Sequence, residues 1–239
     1  MCGRYATSRS ALDLRALFEA EDETDDGLAP DYNVAPTDPV PIVRNSQRAG
    51  RVLSVARWGL VPPWAKDTRG AARMINARVE TVATARAYAT SFARRRCLVP
   101  ADGWYEWRRL SVRDRQAYFM TLRDGGVMAF AGLWTVWGEQ RLLTTTIITV
   151  PAVGDFGAVH DRMPLVLEPS RWSDWLTAEP SERTDLLVPP EDEYLSTVDI
   201  RPVGPRVGDV RNDGPELIEP VPAPPLGSAA ATFTDLTLF

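Results

Sequence analysis

The second residue carries the most distinctive chemistry in this chain. Cys2 lies in Met1-Cys2-Gly3-Arg4-Tyr5, where the small second residue favours removal of the initiator methionine. Removal leaves an α-amine and a thiol on one residue. An α-amine titrates near ~7.7–8.0 and a Cys thiol near ~8.5, so both are expected to be partly nucleophilic near neutral pH. Such a 1,2-aminothiol attacks an aldehyde at nitrogen to give an imine, and the sulfur then closes a five-membered thiazolidine. The plain alternative is a terminal cysteine with no chemical role. Asn76, Glu106 and His160 are the side chains elsewhere that could serve this chemistry. Glu106 sits in Gly103-Trp104-Tyr105-Glu106-Trp107, and a carboxylate among aromatics is desolvated, which raises its pKa toward the range for proton transfer. An edge-strand Glu106 paired with Arg108 or Arg4 is the competing reading. His160, the single histidine, lies in His160-Asp161-Arg162-Met163-Pro164 after a glycine-containing loop. It reads either as a hydrogen-bonding structural residue or as a catalyst, loops being frequent carriers of function.

These residues need a scaffold. Residues 8–20 read as a short helix with a Ser cap and with Leu14, Leu17 and Phe18 on one face. Residues 31–37, rich in Asn and Pro, read as an ordered turn. Residues 40–44 and 51–57 read as a hairpin across the turn at 45–50. Trp58-Gly59-Leu60-Val61-Pro62-Pro63-Trp64 is a loop stiffened by two prolines. Its indoles are either core or a stacking wedge for an unpaired base, a contact of ~1–3 kcal/mol. Residues 74–81, with Asn76 in a loop, lead into a helix ending near 94–96. Residues 97–100 form an apolar strand with Cys97 as an inert core thiol. Asp102-Gly103 marks a tight turn into a strand whose alternation puts Trp104 and Glu106 on one face and Tyr105 and Trp107 on the other. Residues 116–123, 127–134 and 141–150 read as an antiparallel meander. Residues 168–176 and 181–187 read as two short helices, with Trp172, Trp175 and Leu176 as core. Residues 194–203 read as a last strand. From Gly204 onward Pro, Gly, Asp and Ala predict an extended arm and a disordered tail to Phe239.

At 239 residues, 44% of them hydrophobic, the chain can bury one full core or two small ones. No apolar run approaches the roughly 20 residues that span a bilayer, and no secretory signal is legible. Two cysteines without a CxxC, and one histidine, argue against a disulfide framework or a zinc site. A reduced, cytoplasmic, metal-free protein without a cofactor is the expectation. The net charge of −5 hides an uneven distribution. Residues 44–115 hold 16 Lys/Arg against 5 Asp/Glu, an excess of 11 positive charges. A basic middle in an acidic chain is either a solvated face or a local phosphate-binding groove.

The chain resembles the SRAP proteins, which process abasic sites in single-stranded DNA. The resemblance is carried, in the family's order, by Met1-Cys2-Gly3-Arg4-Tyr5, Tyr32-Asn33-Val34-Ala35-Pro36-Thr37, Arg57-Trp58-Gly59-Leu60-Val61-Pro62, Asn76-Ala77-Arg78-Val79-Glu80-Thr81, Gly103-Trp104-Tyr105-Glu106-Trp107 and His160-Asp161-Arg162-Met163-Pro164. Trp104 stands where Phe is commoner. The resemblance implies a compact α+β domain over residues 2–203 with an antiparallel, barrel-like β core and flanking short helices. Residues 204–239 fall outside it. It implies that Cys2 is the nucleophile and ends as a thiazolidine with the ring-opened sugar. Asn76 would place the Cys2 amine and the sugar, Glu106 would shuttle protons and help open the deoxyribose, and His160 would act in imine formation and reversal. Arg4, Arg78 and Arg162 would be phosphate or active-site contacts, and Trp58 or Trp64 the wedge. An imine acidifies the neighbouring sugar C–H, so a lyase-type β-elimination is also implied. The family is described as having peptidase character, linked to Met1 removal, for which a general aminopeptidase is the simpler account. The implied partner is single-stranded DNA carrying abasic sites, bound by a monomer, away from membranes.

Two other classes stay open at this level. Met-Cys-Gly also opens N-terminal-nucleophile amidohydrolases, but those show a His motif near the start and this chain has no His before His160. A non-catalytic single-strand-binding module would bind DNA through the basic segment with Cys2 merely structural.

Overall fold

Backbone alternation and local caps account for most of the elements. The computed structural model describes residues 2–25, 27–179, 183–223 and 226. In chain order the strands are β1 (Tyr5–Thr7), β2 (Glu21–Glu23), β3 (Asp31–Val34), β4 (Pro39–Ser46) and β5 (Gly50–Trp58). There follow β6 (Asn76–Arg78), β7 (Arg96–Ala101), β8 (Gly103–Arg109), β9 (Arg115–Leu122) and β10 (Met128–Trp137). The last are β11 (Leu142–Pro151), β12 (Arg162–Pro164), β13 (Val166–Leu167) and β14 (Val198–Val203). Helices α1 (Ala11–Phe18), α2 (Ala89–Arg94), α3 (Trp172–Thr177) and α4 (Asp192–Leu195) are all short.

The strands form two sheets. A five-stranded sheet has the order β14-β9-β8-β1-β3, and a nine-stranded sheet runs β12-β11-β10-β7-β4-β5-β2 with β13 and β6 attached. Pairing of β11 with β5 closes β5, β4, β7, β10 and β11 into a ring. The class is α+β with a sheet-dominated core, as expected. The pairing is not wholly antiparallel, because β11 runs parallel to both β5 and β6 and β2 runs parallel to β5.

Several local expectations hold. The hairpin is β4–β5, in register from Pro39↔Arg57 to Ser46↔Gly50. In α1 the Ser10 hydroxyl accepts the Asp13 N–H, a cap typically contributing about 1 kcal/mol. Leu14 and Phe18, four residues apart, are buried, whereas Leu17 faces solvent. Two turns of helix expose only a narrow stripe to the core, and Leu17 falls outside it. Cys97 is fully buried beside Thr145, and burial pushes its thiol up to about 12. Trp172, Trp175 and Leu176 are core.

Other expectations are corrected. Residues 116–150 are not one meander: β10 and β11 pair, but β9 lies between β8 and β14 in the other sheet. Residues 31–34 are a strand held against β1 rather than a turn. Asn76 is in strand β6, and the helix that follows is only α2. Asp102-Gly103 is not a hairpin turn but the corner where the chain passes from β7 in one sheet to β8 in the other. A side chain at Gly103 would place its Cβ 2.2 Å from the Met120 carbonyl oxygen, so the corner needs glycine. Residues 204–223 are packed rather than extended away. Val207 and Leu217 are buried, and Val221 N–H donates to the Pro202 carbonyl at 2.9 Å. The remaining tail expectation falls on residues 224–239, which except for residue 226 lie outside the described residues, as do 181 and 182 of the second short helix. No helix among the described residues is long and apolar enough to cross a membrane.

Candidate functional site

The start of the chain is brought to Glu106 by strand register. β1 pairs antiparallel with β8, with Tyr5 opposite Trp104 and Ala6 opposite Gly103, and Tyr105 N–H donates to the Arg4 carbonyl at 3.0 Å. Cys2 and Gly3 therefore run past Glu106. The expected alternation along β8 is observed. Trp104 packs into the main core, while Tyr105 and Trp107 belong to a second apolar cluster with Ala6, Phe119 and Val203 on the reverse face. β8 is an interior strand, so Glu106 is not an edge residue.

Cys2 is 3% exposed and Glu106 2%. Their thiol and carboxyl groups are hydrogen-bonded to one another. Burial, and then the Glu106 charge and hydrogen bond, push the Cys2 thiol well above its ordinary range. This corrects the expectation of a partly ionised thiol. The group is held as S–H until something takes its proton, and Glu106 is the neighbouring acceptor. Burial raises the Glu106 carboxyl too, against lowering by neighbours that include His160. A raised carboxyl is a stronger base than an ordinary glutamate and so a better acceptor for the thiol proton.

Asn76 and His160 arrive from opposite edges of β11. β6 runs parallel along it, placing Asn76 opposite Ile147 and Arg78 opposite Thr149. β12 runs antiparallel along it, placing Arg162 opposite Pro151. Asn76 Nδ2 donates to the Cys2 carbonyl at 2.8 Å, which fixes the amide orientation because a carbonyl can only accept. The Asn76 Oδ1 is buried without a hydrogen bond. The Tyr88 hydroxyl donates to the Asn76 carbonyl at 3.1 Å and steadies the strand. His160 is a partly exposed loop residue whose Nδ1 accepts the Arg162 N–H at 3.0 Å. The same Nδ1 lies 2.9 Å from Asp161 Oδ1, a contact that attracts only when Nδ1 carries a proton. The Arg162 N–H needs a lone pair on Nδ1 and the Asp161 contact needs a proton there, so the ring cannot satisfy both at once. Asp161 is exposed and adds little either way.

The basic and aromatic residues separate into two groups. Arg4 is on the reverse face, half-buried, with Nη1 donating to Asn33 Oδ1 at 2.7 Å and to the Val207 carbonyl at 2.9 Å. It ties β1 to β3 and to residues 205–208, so the expectation of a phosphate or active-site contact at Arg4 is corrected. Trp58 is core. Its indole is buried edge-on to Tyr5 and donates to the Ile75 carbonyl at 3.0 Å. An enclosed ring has no face for a base, so of the two tryptophans Trp64 alone can be a wedge. Trp64 is exposed, with the Arg86 guanidinium 4.9 Å from its ring centre. Arg78 is exposed, whereas Arg162 is mostly covered and paired with Glu80. Arg86 and Glu80 were not read from sequence as site residues. Charge or motif alone does not distinguish Arg86 from other basic residues of the middle segment, and a cation over an indole depends on folding.

A family model described as SOS response associated peptidase (SRAP) matches residues 1–210. The chain belongs to the SRAP family. It is 34% identical over 233 residues to the abasic site processing protein YedK of Escherichia coli, covering 92% of this chain and 100% of that one. It is 33% identical over 226 residues to the abasic site processing protein YoqW of Bacillus subtilis, covering 92% and 99%. The abasic site processing protein HMCES of Gallus gallus matches at 29% over 268 residues, covering 92% and 78%. Among solved structures, a crystal structure of a protein from Bacteroides thetaiotaomicron superposes with a TM-score of 0.79 at 21% identity, covering 92% of this chain and all of that one. That likeness concerns the fold.

Proposed function

We propose that this chain senses and processes abasic sites in single-stranded DNA by forming a covalent adduct at Cys2. The observation that carries the reading is the buried, hydrogen-bonded Cys2–Glu106 pair at the start of the chain, with Asn76 anchoring the Cys2 backbone. Once Met1 is removed, the Cys2 amine attacks the sugar's aldehyde carbon and water leaves, giving an imine. The sulfur then adds to the imine carbon, and its proton passes through Glu106 to the nitrogen. Amine, thiol and aldehyde thus become a thiazolidine and one water. In this reading the Asn76 Oδ1, buried without a hydrogen bond, accepts one from the amine. Glu106 also serves ring opening, since the closed sugar hides its aldehyde, and His160 assists imine formation and reversal. Escape from the imine by loss of a neighbouring sugar proton expels the 3′ phosphate, a lyase-type side reaction. Met1 removal by a general aminopeptidase is sufficient to expose the amine.

The chemistry explains selectivity. A missing base leaves little stacking to break and exposes a latent aldehyde. Phosphate contacts provide affinity without sequence preference, and Trp64 offers a stacking face against a neighbouring base. The direct test combines mass measurement of the purified protein, to see whether residue 2 is the N-terminus, with incubation on abasic single-stranded DNA. A heat-stable adduct on a denaturing gel is expected; its absence with an exposed Cys2 would overturn the proposal.

Arg78 gives a separate prediction. Arg78→Ala is expected to weaken single-strand binding equally for all sequences and to flatten the salt dependence by ~0.7 in log–log slope, one phosphate's share. Anisotropy titrations over a salt series on two unrelated sequences check this. A loss confined to one sequence would mark Arg78 as a base contact.

A further inference from the structure

We propose that Glu80 is a built-in substitute for a DNA phosphate, holding the Arg162 fork until the backbone displaces it. The inference rests on the reading of Arg162 as a phosphate contact. Arg162 Nη1 donates to Glu80 Oε1 at 2.5 Å, and Nη2 donates to Glu80 Oε2 at 3.2 Å. This two-oxygen grip matches the geometry in which a guanidinium takes a phosphodiester. The guanidinium is anchored from beneath through Nη2 alone, which also donates to the Thr149 carbonyl at 2.5 Å and to its hydroxyl at 3.2 Å, while Nε is buried without a hydrogen bond. The fork is thus aimed outward by the sheet, and the carboxylate occupies its outer side.

The partners differ in how readily they leave. The Arg162 side chain is 13% exposed and Glu80 48%. A half-exposed carboxylate regains its hydration when it swings away, whereas Arg162 would have to be pulled from Thr149. The Glu80 end of the pair is half-exposed and screened by solvent, so a phosphate can compete for the fork. Glu80 also lies two residues after exposed Arg78, on the chain segment that follows β6, and Arg162 lies two residues after His160. The exchange would therefore take place beside both Arg78 and the loop that carries His160. With Glu80 in place the Arg162–Glu80 pair presents no net charge to DNA that does not reach Arg162. Non-productive binding is weakened while Arg162 is kept in its working geometry.

The test is salt-dependent binding of the full chain to single-stranded DNA with Glu80→Gln, Arg162→Ala and the double variant, each checked for folding by thermal melting. Glu80→Gln is expected to tighten binding about fivefold near 50 mM salt and to steepen the log–log salt slope by ~0.7, since one uncompensated positive charge is added. The gain should vanish in the Arg162→Ala background, as coupling through one residue requires. Weaker or unchanged binding in Glu80→Gln, or a gain that survives loss of Arg162, would overturn the role of Glu80. If Arg162→Ala alone leaves affinity and slope unchanged, the phosphate reading of Arg162 itself fails, and the two failures are distinct.

Discussion

Cys2→Ala is expected to abolish the heat-stable adduct with abasic single-stranded DNA, reducing yield to background. Alanine keeps an N-terminal amine, so an imine can still form, but nothing closes the ring and water reverses it. Cys2→Ser sharpens the test. A hydroxyl is a far poorer partner for the imine carbon, so this variant should give a product only when borohydride reduces the imine, and should retain strand cleavage. Denaturing gels with and without reductant separate these outcomes. Equal heat-stable yield from Cys2→Ala would remove the thiazolidine mechanism. The burial of the thiol makes the loss large, because no solvent-exposed thiol is on hand to substitute. Both cysteines are buried, and Cys97 lies in β7 between β10 and β4, its thiol raised to about 12.

Glu106→Gln is expected to slow adduct formation by ~100-fold or more, the usual range for a positioned acid–base group. Gln keeps the shape but cannot accept the thiol proton. The pH profile carries the sign. Glu106 works as a base only when ionised, and its carboxyl is raised by burial. The wild-type rate should therefore climb as pH rises through a value above the ordinary ~4.3 of glutamate. A second climb should follow as the Cys2 amine loses its proton near ~7.7–8.0. Glu106→Gln should lose the lower limb and keep the upper. An unchanged rate would remove Glu106 from proton transfer.

Stability should move the other way. A carboxyl raised in the folded state favours folding most below its unfolded pKa, and that contribution is lost as pH climbs through the folded pKa. At neutral pH the raised, buried Glu106 carboxyl opposes folding, so Glu106→Gln should melt at a higher temperature than wild type. The difference should disappear in acid. Such an exchange of stability for function is common at active sites.

The local order of residues determined a good deal of this protein. The Ser10 cap, the hairpin across the turn at residues 45–50, the alternation of Trp104 and Glu106 against Tyr105 and Trp107, and the inert core setting of Cys97 follow from caps, turn residues and two-residue periodicity. Each depends on neighbours a few positions away, or on a single side chain's preference for the interior. The ordered motif blocks likewise carried the family resemblance without any knowledge of contacts. Only the tertiary structure decided which strands pair, so β9 left the expected meander for the sheet of β8, and Asn76 became part of a strand along β11. It sent Arg4 to the reverse face and Trp58 into the core, leaving Trp64 exposed, because facing direction depends on pairing partners distant in the chain. It also raised the Cys2 thiol, since a pKa is set by burial and by which charge comes to lie alongside. The chain's start and Glu106 are more than a hundred residues apart, and only the β1–β8 register makes them neighbours.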